Sequence, residues 1–368
     1  MPGNIDLFDF LSDSLLILIV SFLPFKEAAK TSILSKRWRY IWHSTRNIEF
    51  NESSFSTHHV LPTDGREAQK HVFVDYIRKW MSLYQEPKVD RFRLSISYPY
   101  EFHAEIEMWL RAVINRNVDE LDLNFYWLGC EGRLPNVHIA THMRKLCMCH
   151  CYPLHSSFNI SMPSLRSFKY FGSVRGFQLQ ELTSIEEADL DFGLAYGLPN
   201  RRLASISPPL YLEARHLIIK VGLLAKELLG IVMLLIYCPM LDTLSVKLGF
   251  GRQVKVGPYG RKFNADDHLY EINLKAFLRR HEVHFQGLKE KLKVVEVEGY
   301  RGSRYEEELV HFLMEEAQVL EKITITSMEM VPGDQGHPDK YFQNAQRVLG
   351  FGRASHSLTF SINSGNHK

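Results

Sequence analysis

The chain has 368 residues, of which 45% are hydrophobic and 23% charged, and its formal net charge at pH 7 is +2. This composition is that of a globular protein, and the length suffices for roughly two or three domains. A net charge so close to zero excludes a global electrostatic field that would draw the chain to nucleic acid or to an anionic membrane.

The five cysteines are not spaced like a disulfide framework. Cys147, Cys149 and Cys151 stand within five positions, and Cys130 and Cys238 complete an odd number. The opening residues "MPGNIDLFDF" lack the basic region of a secretory signal. We therefore expect a reducing compartment, the cytoplasm or the nucleus or both.

Two apolar runs raise the question of a membrane. Leu15 to Leu23 contains one polar residue, Ser21, and a second run extends from Leu228 to Cys238. Both are far shorter than the about 20 residues that a transmembrane helix needs. We therefore expect no membrane-spanning segment.

The first predicted elements are three short helices. Ser12 and Asp13 form an N-cap signal, Pro24 stops the first helix, and a second helix follows over "FKEAAKTSIL". Ser35 is placed to cap a third helix. The run "SLLILIVSFL" is apolar on every side, so the first helix must be buried on every side.

The third helix would carry the stretch "ILSKRWRYIWHS". Leu34, Trp38, Ile41 and Trp42 recur at helical spacing and form one apolar stripe, with Lys36 on the other side. Three helices in about 40 residues cannot bury two tryptophans and a fully apolar helix by themselves. The excess apolar surface predicts contact with the next domain or with a partner protein. A basic amphipathic helix for a membrane, a calmodulin-like protein or nucleic acid is the alternative.

The segment "LSDSLLILIVSFLPFKEAAKTSILSKRWRYIWHS" resembles the plant F-box, whose usual form reads L-P-D-E-I-L, S-F-L-P, K-E-A, S-V-L-S-K-R-W-R and W. An F-box binds a Skp-family adaptor and, through it, the cullin of a ubiquitin ligase. For Trp38 the resemblance favours the adaptor interface, whereas Trp42 is equally well explained as core. The residues that it implies at the adaptor-binding face, or in support of it, are Leu11, Ser12, Leu15, Leu23, Pro24, Leu34, Lys36 and Trp38.

Two residues depart from the F-box pattern. Ser12 replaces the usual proline and Ser14 the usual glutamate, both in the segment that normally enters the adaptor. Losing the proline removes preorganisation, so the sequence predicts weaker adaptor binding than is typical.

A six-residue pattern recurs after a polar, turn-rich stretch, "NESSFSTHHVLPTDGRE", that we interpret as a linker or an exposed loop. The pattern is one apolar residue, two of any kind, one apolar, one of any kind and one apolar. With the doubtful copy "LYEINL" included, successive copies lie about 20 to 29 residues apart, within the range of leucine-rich repeats. The nine other copies are "VDRFRL", "VDELDL", "MRKLCM", "LRSFKY", "IEEADL", "ARHLII", "LDTLSV", "LKVVEV" and "LEKITI".

Each copy predicts one short strand of a shared parallel sheet, with its apolar positions inward. The residues between them would line an open concave face, and a solenoid of this kind offers an extended binding surface rather than a catalytic pocket. The residues that we predict to bind a target protein on this face are Glu120, Asp122, Asn124, Lys169, Glu187, Asp189, Lys220 and Lys247.

The later sequence resembles plant F-box/LRR proteins and their closing FBD module. "MWLRAVINRNVDELDLNF" is similar to the opening of their repeats, and "CPMLDTLSV" to their C-P-x-L-x-x-L-x-V repeat, in which Cys238 would be buried. "LKVVEVEGYRGSRYEEELVHFLMEEAQVLEKITI" and "RVLGFGRASHSLTFSI" are similar to the FBD module, with Gly352 where proline is usual. The resemblance implies an α/β fold, a three-helix F-box followed by a leucine-rich-repeat solenoid with a parallel sheet. Its predicted parts are an F-box at 5–50, a linker at 51–70, repeats at 71–285 and an FBD-like region at 286–368 that continues the repeats.

Three motifs suggest chemistry, and we interpret each as structural. In "CMCHC" a strand would point Cys147, Cys149 and Cys151 one way and His150 the other, so zinc would need a fourth ligand from elsewhere. "HEVH" lacks the four-residue histidine spacing of a zincin, and "GFGRQVKVGPYGRK" lacks the Gly-Lys-Ser/Thr ending of a phosphate loop. We predict no catalytic site, metal or cofactor.

The resemblance implies a specificity subunit of an SCF-type cullin–RING ubiquitin ligase, which is not itself an enzyme. Its F-box would bind a Skp-family adaptor, and its repeats would bind a target protein that the sequence does not identify. We expect neither nucleic acid nor membrane as a partner. The alternative is a leucine-rich-repeat scaffold without a role in degradation, or a weak or unproductive adaptor binder.

Overall fold

A computed structural model shows an α/β chain with two compact units, Met1–Leu154 and His155–Lys368. The structure describes residues 7–23, 25–55, 63–97, 99–125, 132–134, 142–149, 151–153, 158–171, 177–180, 184–191, 212–223, 225–236, 238–249, 274, 278, 285–329 and 338–365.

The first unit begins with a group of short helices, residues 7–44, which we call the N-terminal module. A 3₁₀ turn, Leu7–Phe10, precedes α1 (Asp13–Ser21), α2 (Phe25–Lys30) and α3 (Trp38–Ile41). The helices enclose a small core of five buried residues, Leu16, Val20, Ala28, Trp38 and Ile41.

The main sheet of the first unit has four parallel strands. In spatial order they are β1 (Asn47–Asn51), β2 (Arg91–Ser95), β3 (Glu120–Asn124) and β5 (Lys145–Cys149). Alternate side chains of β1 and β3 are buried, as expected for strands whose one face packs on a core.

The described residues of the first unit also form three further α-helices and a small strand pair. The helices are α4 (Glu52–Phe55), α5 (Thr63–Leu83) and α6 (His103–Ile114). In α6 the residues Ile106, Trp109, Leu110 and Val113 are buried at i, i+3, i+4 and i+7, which gives the helix one apolar face. The strand pair consists of β4 (Gly132–Leu134) and β6 (Cys151–Pro153), which are parallel.

The second unit contains seven parallel strands whose order in space follows their order in sequence. They are β8 (Ser167–Phe171), β10 (Glu187–Asp191), β11 (His216–Val221), β12 (Thr243–Leu248), β13 (Val294–Tyr300), β14 (Lys322–Ser327) and β15 (Thr359–Asn363). A separate parallel pair is formed by β7 (Phe158–Ser161) and β9 (Phe177–Gln180).

Helices connect the last strands of the second unit, as parallel pairing requires. They are α7 (Ala225–Ile236), α8 (Gln286–Glu290), α9 (Arg304–Glu316) and α10 (Pro338–Arg347). The start of α9 is fixed by the buried carboxylate of Glu306, whose Oε2 accepts hydrogen bonds from the backbone amides of Arg301, Gly302 and Ser303 at 2.9, 2.9 and 3.0 Å.

The predicted α/β class, helical start and parallel repeat sheet are confirmed. Each of the nine predicted copies coincides with a strand, and its first apolar residue is at most 3% exposed. The doubtful copy "LYEINL" lies outside the described residues except for Leu274, which is buried. The nine first positions are Val89, Val118, Met143, Leu165, Ile185, Ala214, Leu241, Leu292 and Leu320.

The structure corrects three local expectations. Residues 51–70 are not a linker throughout, because α4 lies there and α5 already begins at Thr63. The third helix begins at Trp38 without a side-chain cap, so Ser35 does not cap it. The predicted stripe is broken, since Leu34 lies outside that helix and is 63% exposed.

Candidate functional site

An exposed apolar stripe runs along α1. Leu15, Leu18, Ile19 and Phe22 recur at helical spacing, and they are 47%, 51%, 39% and 80% exposed. The opposite side of the helix packs in the core of the N-terminal module. The expectation that this helix is buried on every side is therefore wrong for the chain alone. An exposed apolar surface of this kind is typical of a protein-interaction site.

Most of the predicted adaptor-facing residues are exposed. Leu15, Leu23 and Leu34 are exposed apolar side chains, and Lys36 is an exposed basic one. Leu11 is partly buried and packs against the core of the module. Pro24 lies outside the described residues.

Trp38 is buried in the chain without a partner. Its side chain is 6% exposed and belongs to the core of the module. The ring of Phe8 packs edge-on against it with centroids 5.5 Å apart. In the free chain Trp38 therefore supports the exposed face from within the module, and its contact with an adaptor stays a prediction.

Ser12 has a structural role that offsets the missing proline. It is the N-cap of α1, and its Oγ accepts a hydrogen bond from the amide of Leu15 at 3.4 Å. Serine is among the favoured N-cap residues, whereas proline has no side-chain oxygen to offer. The helix start is therefore held by a different device in this chain.

Arg37 holds the parts of the N-terminal module together, a role that was not predicted from the sequence. Its guanidinium donates to Asp13 Oδ1 at 2.7 and 2.8 Å, to the carbonyl of Phe8 at 3.1 Å and to the carbonyl of Leu11. These bonds join the segment before α1, the start of α1 and the segment before α3. The sequence clue was an arginine directly before the buried Trp38, because a guanidinium can donate hydrogen bonds to several groups at once.

An aromatic cluster attaches the N-terminal module to the sheet. Phe25 on α2 lies 5.4 Å from Phe50 on β1 and 5.5 Å from Trp80 on α5, measured between ring centroids. Trp42 contacts both Phe25 and Trp80, at 5.8 and 6.3 Å, and Tyr84 stacks on Trp80 at 4.7 Å. Module, strand and helix therefore share one core within the first unit, and we call these five residues the aromatic cluster.

His43 lies at the edge of this cluster. Its ring is 4.1 Å from that of Trp42 and is stacked parallel to Trp80 at 6.2 Å. Partial burial lowers the pKa of His43 below its ordinary value of 6.5, because the charged form loses hydration.

The predicted target-binding residues of the first unit lie on the sheet face opposite its buried side chains, which we call the polar face. Glu120 Oε2 accepts from Arg91 Nε at 2.8 Å, and its other oxygen is 3.0 Å from Lys145 Nζ. Asp122 Oδ2 accepts from Arg93 Nε at 2.8 Å. Each of these carboxylates is therefore paired with a base on a neighbouring strand.

Asn124 follows Asp122 along the same face of β3. Its Oδ1 is buried and, among the described residues, has no hydrogen-bond partner. In the parallel register Asp122 lies opposite Cys147, and Asn124 lies opposite Cys149. The two cysteines therefore also lie on the polar face.

The polar face of the second unit shows the same alternation of charge. Asp189 Oδ2 lies 3.1 Å from Lys169 Nζ and 3.0 Å from Lys220 Nζ, and Asp189 is only 8% exposed. Lys247 pairs at 3.1 Å with a carboxylate on β13. Glu187 is exposed at the beginning of β10. The predicted residues thus lie on one face of their sheet, and most are paired with one another.

These pairs define what the polar faces can recognise. Exposed ion pairs are worth about 0–1 kcal/mol each, so a ligand can replace one partner at small cost. Alternating signs favour a ligand with matched polar groups over one that carries a block of a single charge. The pairing could have been predicted, because Arg91, Glu120 and Lys145 occupy the same position of three successive copies.

A serine, a histidine and a glutamate come together on the polar face of the second unit. Ser245 Oγ donates to Glu296 Oε2 at 2.9 Å and lies 3.3 Å from His216 Nε2. These side chains link β11, β12 and β13 through hydrogen bonds on the polar face.

The described part of the chain offers neither a metal-binding cluster nor a membrane-spanning helix. No cluster there of three or more histidine, cysteine, aspartate or glutamate side chains is placed to hold a metal ion. No helix among the same residues has the length and apolar character to cross a bilayer. The motif "HEVH", the side chains of His150 and Cys151, and the glycine-rich stretch beyond Gly249 lie outside what the structure describes.

Comparisons with known proteins match both ends of the chain. The F-box domain model matches residues 8–50, and the FBD model matches residues 284–325. A putative F-box/LRR-repeat protein of Arabidopsis thaliana is 23% identical over 83% of this chain and 85% of the relative. An F-box protein of the same plant is 24% identical over 87% of this chain and 91% of its own length. A putative F-box/FBD/LRR-repeat protein from it is 30% identical over 32% of this chain and 29% of the relative.

Proposed function

Because the chain contains an F-box domain and an FBD segment, we propose that it is the substrate-recognition subunit of an SCF-type cullin–RING ubiquitin ligase. In this role the F-box binds a Skp-family adaptor, which connects it to the cullin, and the repeat sheets bind a target protein. The chain itself then contributes binding surfaces and no catalytic residue.

The observation that carries the proposal is the exposed apolar stripe of α1 on a module whose own core is small. Leu15, Leu18, Ile19 and Phe22 remain exposed although the matching residues on the other side of α1 are buried. Covering each of them would contribute about 1 kcal/mol or more of hydrophobic free energy. A partner protein that covers the stripe therefore gains the affinity that an adaptor needs.

The aromatic cluster supports the same role. It joins α2 of the F-box to β1 and α5 through ring contacts of 5.3–6.3 Å. A target held on the polar face of the first unit is then held at a fixed place relative to the adaptor-binding stripe. Tethering in this manner raises the local concentration of the target near the ligase. We place the complex in the cytoplasm, the nucleus or both.

The test is co-expression of the full chain with a Skp-family adaptor, followed by a pulldown that measures retained adaptor and cullin. The test variant is Leu18→Asp/Phe22→Asp, which puts two charges on the exposed stripe. Val72→Asp is the matched control, because Val72 is 58% exposed on α5, outside the F-box. Wild type and the control should retain both partners, and the double variant should lose both.

Failure of the folded wild-type chain to retain any adaptor would overturn the proposal.

Trp38→Ala is unsuitable as the disrupting variant, because Trp38 is a core residue of the module. Truncating such a residue costs about 3–5 kcal/mol, so a loss of binding would only report unfolding.

A further inference from the structure

Two thiols lie side by side on the polar face of the first unit. Cys147 and Cys149 are alternate residues of β5, and their sulfur atoms are 3.8 Å apart. Both side chains are partly exposed. A single atom with sulfur bonds of about 2.3 Å, the length found at zinc, spans about this separation at a tetrahedral angle. A pyramidal trivalent centre has a smaller angle and would reach both sulfurs after a small rotation of the two side chains, with no change in the strand.

The neighbouring strand adds oxygen atoms beside the two thiols. Asp122 lies opposite Cys147 in the register, and its carboxylate accepts a hydrogen bond from Arg93 at 2.8 Å. Asn124 lies opposite Cys149 with its buried Oδ1 unpaired among the described residues. The two thiols thus lie beside the Asp122 carboxylate, which Arg93 already engages, and beside Asn124 Oδ1, which no described residue engages.

We propose that Cys147 and Cys149 form a dithiol site for a trivalent thiophilic metalloid, of the arsenic(III) class. A neutral trivalent centre needs only two sulfurs and one further substituent, which agrees with a site that provides two thiols. The site is independent of the proposed ligase role, but it adjoins Asp122 on the predicted target-binding face.

A protonated thiol at Cys147 is compatible with this ligand class. The hydrogen bond to Cys149, followed by burial, raises the pKa of Cys147, so the thiol stays protonated at neutral pH. An organic arsenoxide consumes protonated thiols: two S–H bonds and the As–O bond break, two As–S bonds form, and the oxygen leaves as water with both protons. The oxidation state of arsenic does not change. A zinc ion would instead have to displace two protons into solvent.

The experiment treats the full-length reduced chain with phenylarsine oxide and measures bound label by intact mass, together with the thiols that remain open to alkylation. Cys147→Ser and Cys149→Ser each remove one sulfur with little change of shape. Cys151→Ser is the matched control, because it removes the nearest other thiol in sequence. Parallel dialysis against zinc distinguishes a metal ion from a metalloid, and melting temperatures confirm that the variants fold.

Wild type and Cys151→Ser should bind one phenylarsenic group and lose two alkylatable thiols. Either serine variant at 147 or 149 should bind about 100-fold more weakly, since a chelate becomes a single bond. Equal labelling of these two variants and wild type, loss of binding in Cys151→Ser, or binding of zinc without binding of the arsenical would each overturn the proposal. The adaptor pulldown of the Cys147→Ser chain should equal that of wild type, which separates this proposal from the ligase proposal.

Discussion

Trp80 on α5 packs edge-on against Phe25, the first residue of α2, with ring centroids 5.5 Å apart and planes inclined by 75°. This contact joins a helix beyond the F-box to a helix within it. It makes the F-box and the start of the repeat sheet parts of one core.

Replacing Trp80 with alanine should therefore destabilise the F-box as well as α5. We expect the free energy of unfolding to fall by about 3–5 kcal/mol, because Trp80 is buried in the aromatic cluster. Urea denaturation measures this loss. The control is Val72→Ala, which changes an exposed residue on the same helix. A double-mutant cycle with Phe25→Ala should give a coupling of about 0.5–1.5 kcal/mol. Additive effects of the two substitutions would contradict a shared core.

Arg37→Ala should weaken adaptor binding without removing any residue of the exposed stripe. The guanidinium holds the carbonyls of Phe8 and Leu11 and the carboxylate of Asp13. Its loss should lower the free energy of unfolding by about 1–3 kcal/mol and the adaptor affinity by about tenfold.

Calorimetric titration of the adaptor measures the affinity of the Arg37 variants. Arg37→Lys should restore little of it, because an ammonium cannot provide the fork of donors. Asp13→Asn, which keeps both carbonyl contacts, should show a smaller loss than Arg37→Ala. Full recovery with lysine would show that only the charge of Arg37 matters.

Asp189→Asn should destabilise the second unit, because Asp189 holds two lysines across three strands. The substitution removes the negative charge and leaves Lys169 and Lys220 beside a neutral amide. This amide would be nearly buried, as Asp189 is. We expect a loss of about 1–3 kcal/mol in urea denaturation. Glu187→Gln on the same strand is exposed and should change little. Equal effects of the two substitutions would show that the ion pairs contribute nothing measurable.

Lowering the pH should destabilise the first unit, and part of this effect should depend on His43. The pKa of His43 in the folded state lies below the unfolded value of 6.5. Between these two pKa values the unfolded state therefore binds more protons than the folded state. The free energy of unfolding is thus highest above pH 6.5 and decreases as the pH falls through the folded pKa. His43→Phe keeps an aromatic ring and should flatten this part of the pH profile measured by thermal denaturation. An unchanged profile would assign the dependence to other groups.

Much of the fold could be predicted from the sequence, because each repeat strand carries its own pattern of buried positions. The first strand was missed since Thr45 stands where the pattern requires an apolar residue. Thr45 is nevertheless 2% exposed, and its hydroxyl accepts from the amide of Asn47 at 3.3 Å. A polar side chain that bonds to nearby backbone can occupy a core position, and a hydrophobic template does not detect it.

The candidate site was predicted only in part. Exposed residues such as Leu15 could be placed because the small module cannot bury them. The position of Trp38 depends on Phe8, thirty residues earlier, and the aromatic cluster depends on Trp80, far beyond the F-box. Contacts between segments so distant in sequence leave no periodic signal, so the structure was needed to assign Trp38 to the core.

The most direct test of the ligase account is the dissociation constant of the purified chain for a Skp-family adaptor. It should be measured for wild type, Phe22→Asp and Val72→Asp. We predict micromolar or tighter binding for wild type and Val72→Asp. Binding by Phe22→Asp should be at least about tenfold weaker, because the charge lies on the exposed stripe of α1. Equal affinities of Phe22→Asp and Val72→Asp would contradict an adaptor interface on α1.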